Sequence, residues 1–401
     1  MYITREIEST LERILPQFKV VLVTGARQVG KTTLIKHMFA DHYNYVTLDD
    51  MRALDLAKND PALFFRQNPT PLIIDEVQYA PEIFRQIKLA ADKSDERGTI
   101  ILTGSQAYHL MKNVSESLAG RTTILEMPPM SFRELRGTTG RGPFVPSDAP
   151  LREKYESSDV WKVIQRGFMP DMQSGVTEWE LFYMNYVKSY IERDVRDIIR
   201  VTDEIKFYKF LVSLAARTGQ LFVASDIARD IEVSALTVQS WASVLEAAGL
   251  IHILRPYHSN YSKRLVKAPK VYFMDTGLVC YLLGWNTPRT LENGAMSGSI
   301  FETFVVSEIL KSYMNAGKGT GGIFYYRDKD GREIDLLIQD GRTLHPVEIK
   351  KSAAPGRDMV KHFPALDSIS DAERGTGAVV CLAESASYIT DDTVALPVEA
   401  L

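Results

Sequence analysis

Apolar and polar positions repeat along this chain with two different periods, and the places where the period changes divide it. Residues 1–18 repeat at helical spacing, with Ile7, Leu11, Ile14 and Leu15 on one face. They predict an amphipathic helix that leads through Pro16 to a first strand and packs beneath the sheet that follows. Residues 19–24 are almost continuously apolar, as in a strand buried on both faces. Similar short runs recur at 44–48, 71–75, 99–103 and 122–127. Helical stretches lie between them, among them 33–40, and 60–65 and 81–91 with Asp or Pro at their starts. Strand alternating with helix predicts a parallel sheet with helices on both faces, an α/β fold.

The periodicity stops over 137–158, where glycine, proline, serine and charge dominate and a linker or lid boundary is expected. Helical patterning returns from Trp161, and 178–200 sets an apolar stripe against a strongly charged face. Residues 203–275 predict three helices and a hairpin. The helices are 207–218, 225–231 with Ser225 as N-cap, and 236–248 ended by Gly249; the hairpin strands are 250–254 and 270–274. A second boundary lies at 286–299, and the remainder is mixed α/β. The expected units are 1–136, a linker and helical lid over 137–202, 203–285 and 290–401, as suits a chain of 401 residues.

The first strand runs into Gly25-Ala-Arg-Gln-Val-Gly-Lys-Thr32, and a helix follows. Gly25 and Gly30 allow the tight turn that points successive N–H groups inward at an anion, and the helix adds its positive end. These features make the stretch a P-loop. Arg27, Gln28, Val29 and Thr33 complete the expected ATP contacts, Lys31 reaches the β- and γ-phosphates, and the Thr32 hydroxyl ligates Mg²⁺. About 45 residues on, an apolar strand ends in Asp75-Glu76. Asp75 is placed to hold Mg²⁺ through its water shell and Glu76 to polarise the attacking water. The strand 99–103 brings Ser105, with Thr103 as the alternative, to the carboxyl edge of the sheet as a γ-phosphate sensor. Arg121 is the candidate guanidinium for the developing charge, and Arg193 a weaker one.

Composition narrows the partners. The chain is 45% hydrophobic and 24% charged with a net charge of −4, so nucleic-acid contact would have to come from a local patch. Cys280 and Cys381 sit in apolar sequence without metal-ligand spacing and are expected as reduced core thiols. No apolar run reaches about 18 residues and no signal peptide opens the chain, so a cytoplasmic protein without membrane contact is expected.

Gly-Ala-Arg-Gln-Val-Gly-Lys-Thr-Thr, Ile-Ile-Asp-Glu-Val-Gln, Leu-Thr-Gly-Ser-Gln and Leu-Ala-Gly-Arg occur in that order. In this the chain resembles prokaryotic AAA-type ATPases of the P-loop superfamily that carry a C-terminal domain of unknown function. The resemblance covers nearly the whole chain and implies a sheet in which the strand of Asp75 lies beside the P-loop strand. It implies no cellular role.

Two C-terminal modules add chemistry. Residues 203–285 resemble a winged helix-turn-helix. Between 252 and 270 there are five Lys or Arg, no acid, and Tyr257 and Tyr261, which suits phosphate and sugar contacts on DNA. The third helix has no Lys or Arg and offers bases little beyond Gln239, so sequence-specific readout is not expected and a protein partner or homo-oligomer is the alternative. In 290–401, strand alternation puts Asp335 opposite Glu348 and Lys350, with Glu302 at a helix start. This set resembles the Asp, Glu-x-Lys signature of restriction-endonuclease-like nucleases, although no Pro precedes Asp335. The resemblance implies Glu302, Asp335 and Glu348 as metal ligands and Lys350 as a water-positioning group. The expectation is an ATP-binding and ATP-hydrolysing switch or motor. An ATP-regulated nuclease and an ATP-binding adaptor are the alternatives.

Overall fold

The computed structural model describes residues 2–105, 118–189, 204–257 and 268–401. Its first sheet has five parallel strands, β1 (Val20–Thr24), β2 (Asn44–Thr47), β3 (Leu72–Asp75), β4 (Ile100–Thr103) and β5 (Thr122–Glu126), in the order β2-β3-β4-β1-β5. Alternation along β1 explains why the run is wholly apolar: Val21 and Val23 enter one core, while Val20 and Leu22 enter another on the opposite face. The first core takes Ile7, Leu11 and Ile14 of the helix Ile7–Ile14, together with Leu34 and Ile35 of the helix Lys31–Phe39. The second takes Phe64, Phe84 and Ile87. Burial of both faces is what a parallel sheet requires.

The strand order corrects one expectation. The strand of Asp75 does not lie beside the P-loop strand, because β4 pairs with both, matching Val20 to Ile100 on one side and Leu72 to Ile100 on the other. The carboxyl ends of β1, β4 and β3 therefore line up in one row, with the Thr103 end in the middle.

After β5 come the helix Phe132–Arg136 and, over 137–158, irregular chain with one short turn at Ala149–Arg152. The helices Val160–Arg166, Pro170–Ser174 and Trp179–Tyr186 follow. The rest of the expected 178–200 helix, Arg193 included, falls outside the described residues apart from 187–189. The middle unit has helices Glu204–Ala215, Ala224–Ile231 and Ala235–Ala247, with strands β6 (Gln220–Leu221), β7 (Ile251–Leu254) and β8 (Lys270–Phe273) in the order β6-β8-β7. Ser225 is not the cap of the second helix, which starts one residue earlier behind Val223 and has no side-chain cap. Ser234 caps the third by accepting the Thr237 N–H at 3.0 Å.

The last unit joins the helix Ser297–Asn315 to a mixed sheet of β9 (Ile323–Arg327), β10 (Glu333–Asp340), β11 (Thr343–Lys350), β12 (Glu373–Arg374), β13 (Gly377–Cys381), β14 (Ser387–Thr390) and β15 (Thr393–Pro397). That helix is buried nearly all round and shares one core with the nucleotide sheet, the middle helices and the last sheet. Its fully buried Lys311 donates to the Met130 carbonyl at 3.0 Å and pairs with Glu308 at 2.7 Å. Glu308 in turn accepts the Phe132 N–H at 2.6 Å. Cys280 and Cys381 are buried free thiols, and no described helix is long and apolar enough to cross a membrane.

Candidate nucleotide site and a second charged cluster

The P-loop turn begins where β1 ends. Gly25 has φ +140, and a Cβ there would lie 2.2 Å from the Met127 carbonyl oxygen, so only glycine fits between β1 and the end of β5. Gly30, at φ +94, precedes the helix Lys31–Phe39, and Gln28 takes φ 62 at the exposed tip of the turn. Val29 is buried and Thr33 exposed. Arg27 lies 3.4 Å from the Tyr79 hydroxyl.

Lys31 is 6% exposed and folds back to donate to the Gly25 and Ala26 carbonyls at 3.0 and 2.8 Å. Burial pushes its pKa down to about 8, against the pull of Glu76 and Asp75. A buried ammonium facing loop carbonyls is stabilised by an incoming anion.

Asp75 receives three hydroxyls. Thr32 Oγ1 donates at 2.9 Å, Tyr45 at 2.6 Å, and Thr103 Oγ1 also donates to Oδ1. Thr103 further accepts the Glu76 N–H at 3.3 Å. Glu76 sits in the left-handed region at φ 56, which turns its carboxylate off the strand line, and Gln78 Nε2 donates to it. The same Gln78 nitrogen lies 3.4 Å from the buried Ser105 hydroxyl. Thr32, Asp75, Glu76, Thr103 and Ser105 thus form one hydrogen-bonded group at the carboxyl edge, and Lys31 feels the charges of Glu76 and Asp75. Tyr45 and Gln78 are additions that sequence reasoning missed. Their signal was slight: an aromatic hydroxyl on β2, and a Gln two residues beyond the acidic pair.

Arg121 is elsewhere. It precedes β5 at the amino edge of the sheet, where its carbonyl accepts the Val20 N–H, and its guanidinium pairs with Asp92 at 2.5 Å. The length of β1 separates it from the P-loop, so the expected role in completing this chain's own ATP site is corrected. The middle unit, by contrast, abuts the loop: a Cβ placed on Gly249 would lie 3.5 Å from the Ala26 nitrogen.

The second cluster forms where the middle unit meets the last. Leu336 pairs with Val347 across β10 and β11, and Asp335 and Glu348 are the next residues along each strand, with Asp335 accepting the Ile349 N–H at 2.9 Å. Lys350 Nζ lies 3.0 Å from Asp335 and 2.6 Å from Glu348. Glu302 arrives from the helix Ser297–Asn315, so the four expected residues converge. An unexpected fifth, Lys270 of β8, pairs with Glu302 at 3.4 Å and Glu333 at 2.7 Å while only 4% exposed, and the Tyr272 hydroxyl donates to Glu302 at 2.6 Å. Burial alone would lower the Lys270 pKa, but Glu302, Asp335 and Glu333 more than offset it and hold it above the usual lysine value. Burial, then the Asp335 charge, pushes Glu348 up to about 8.

Two lysines therefore already balance the charges of the expected metal ligands. Ammonium groups stand where the cation would balance the acids, and among the described residues no group of three or more His, Cys, Asp or Glu is arranged to hold a metal. Lys270 and Tyr257 are also withdrawn from the expected DNA patch: Tyr257 is buried with its ring 5.6 Å from that of Phe324, while Tyr261, Lys263, Arg264 and Lys267 lie outside the described residues.

Comparison with known proteins places these sites in context. Residues 17–136 match an AAA domain, 157–289 a domain of unknown function (DUF8612) and 297–401 another (DUF4143). An uncharacterized protein of Mycobacterium tuberculosis is 26% identical over 401 residues, which covers 98% of this chain and 83% of its own. An uncharacterized protein of Methanocaldococcus jannaschii is 23% identical over 361 residues, covering 84% of this chain and 75% of its own. Among solved structures, the Walker-type ATPase of Pyrococcus abyssi aligns over 70% of this chain and 96% of its own, with 14% identity and a TM-score of 0.42.

Proposed function

The chain is an AAA-type P-loop protein with a C-terminal domain of unknown function, and from that premise we propose that it binds and hydrolyses ATP as a switch or motor whose C-terminal modules engage DNA or a protein partner. The observation that carries the reading is the connected group at the carboxyl edge, in which Thr32 and Thr103 both bond Asp75 and Glu76 stands beside them. In the proposed mechanism the Gly25–Thr32 turn and Lys31 bind the phosphates. Mg²⁺, held by Thr32 and through water by Asp75, would neutralise phosphate charge. Glu76 orients the attacking water, and Ser105 would sense the terminal phosphate. Arg121 is given no part.

The order helix, strand, helix, helix, strand, strand over 204–273 supports a winged helix. With no Lys or Arg on its third helix, any DNA contact is through phosphates, which leaves Arg255, Lys263, Arg264 and Lys267 of the original patch. Convergence of Glu302, Asp335, Glu348 and Lys350 favours a nuclease-like fold for 290–401, but with Lys270 in the cluster no cleavage step is assigned.

The test is steady-state ATPase of the full chain with Mg²⁺, with and without duplex and single-stranded DNA. Lys31→Ala is expected to lose nucleotide binding. Glu76→Gln is expected to keep ATP and stop turnover, because an amide cannot accept the proton of water. Turnover by Glu76→Gln at the wild-type rate refutes the base assignment, and absence of turnover in the unmodified chain leaves the adaptor alternative.

A further inference from the structure

Arg5 lies outside the matched AAA segment, yet it reaches the loop that would hold the phosphates. Its guanidinium is buried at 4% exposure. Nη1 donates to the Val29 carbonyl at 2.7 Å and Nη2 to the Pro128 carbonyl at 2.9 Å, while Nε pairs with Glu134 at 3.0 Å. Glu134 is itself fixed: it closes the capping box of the helix Phe132–Arg136 with Ser131 and accepts the Glu6 N–H at 2.7 Å. Three groups, on the P-loop, on the segment after β5 and on a capped helix, therefore hold one planar fork in place.

A trans peptide is planar, with its C=O and the following N–H pointing in opposite directions. Anchoring the Val29 carbonyl on Arg5 therefore turns the Gly30 N–H to the far side of the turn. It also fixes the plane of a peptide whose glycine, at φ +94, would otherwise move freely. A phosphate cradle depends on such N–H groups being aimed before the anion arrives.

We propose that Arg5 is a positioning residue of the nucleotide site, which sets the Val29–Gly30 peptide so that the Gly30 N–H donates to the β-phosphate. This rests on the nucleotide reading above. With its nitrogens engaged by Val29, Pro128 and Glu134, Arg5 acts through the turn, so it governs binding rather than chemistry. A lysine at this position keeps a charge for Glu134 but has no fork with which to reach Val29 and Pro128 as well.

The experiment uses the full chain and measures ADP affinity by calorimetry, KM and kcat for ATP, and the melting temperature without nucleotide. For Arg5→Lys, ADP affinity and 1/KM should fall together by about ten- to a hundred-fold, the value of one to two charge-assisted hydrogen bonds, with kcat retained. Glu134→Gln, which loosens the fork from behind, should give a smaller loss in the same direction, and it carries the test if Arg5→Lys does not fold. Wild-type ADP affinity in the folded variants, or a fall in kcat at constant KM, overturns the proposal. A wild-type chain that binds no ADP overturns the nucleotide reading itself, a different result.

Discussion

Replacing Lys270 by Met tests whether the second cluster is held by charge. The substitution keeps the length of the side chain in a site 5% exposed and removes the cation that faces Glu302, which is 18% exposed, and Glu333. Glu302 then stays largely withdrawn from water with, among the described residues, the Tyr272 hydroxyl as its remaining hydrogen-bond donor. Breaking a buried pair from one side costs about 3–5 kcal/mol. For a cooperative unit of about 150–250 residues that is a fall of roughly 6–20 °C in melting temperature. Adding Glu302→Gln should recover most of the loss, because the remaining group is neutral and can still accept the tyrosine hydrogen bond.

The pH dependence has a fixed sign. Burial raises the Glu302 pKa, and Lys270 is among the groups that lower it, so the substitution raises it further. A carboxyl whose folded pKa exceeds its unfolded value holds more protons folded than unfolded, so stability falls as pH rises above the ordinary value of about 4.3. The deficit of Lys270→Met must therefore be larger at about pH 8 than at about pH 5. Thermal melts followed by circular dichroism at both values read it directly. A variant that melts with the wild type at pH 8, or a deficit that does not change with pH, refutes the reasoning.

Other outcomes follow from the geometry. Because burial holds Lys31 near a pKa of about 8, ATP binding at pH 8 should take up about half a proton as phosphate recharges the amine, and close to none at about pH 6. Calorimetry in buffers of different ionisation enthalpy measures it, and observed heats at pH 8 that do not change with the buffer would count against a lowered Lys31 pKa. Gly25→Ala should abolish ADP binding and lower the melting temperature, since the new methyl carbon would lie 2.2 Å from a carbonyl oxygen. Burial and then the Asp335 charge push the Glu348 pKa up to about 8, so Asp335→Asn should bring it part of the way back toward the ordinary carboxylate value. Carboxyl carbon shifts across a pH series report it, and an unmoved midpoint would mean that burial alone holds it up.

Local patterns made much of this legible. The five strands of the nucleotide sheet, the Gly25–Thr32 turn and the Asp75-Glu76 end could be read because runs of apolar residues and glycines act over a few neighbours. The pairing of β10 with β11 was legible for the same reason: alternation fixes which residues share a face. What escaped depends on chain that meets from far apart. That β4 separates β1 from β3 is set by backbone pairing across the sheet, which a strand's own sequence does not encode. Lys270 looked like the end of a basic stretch, but its strand is buried on all four residues and aims it at Glu302. Arg121 looked well placed because it precedes a strand of the right domain, yet preceding a parallel strand puts a residue at the edge away from the ligand. Arg5 carried no local signal.

The contact of Glu308 with the Phe132 N–H has a consequence for the order of synthesis. The two residues are 176 positions apart, and Lys311 and Met130 are 181 apart. At about 5–20 residues per second, the stretch that follows β5 leaves the ribosome roughly 10–35 s before the residues that finish it. Until then the Phe132 N–H and the Met130 carbonyl lack the partners that Glu308 and Lys311 supply, although Ser131 and Glu134 can already cap the helix Phe132–Arg136. The segment after β5 is thus made long before the helix Ser297–Asn315 that completes its hydrogen bonds, so in a nascent chain the packing behind the nucleotide sheet is finished only once the last quarter arrives.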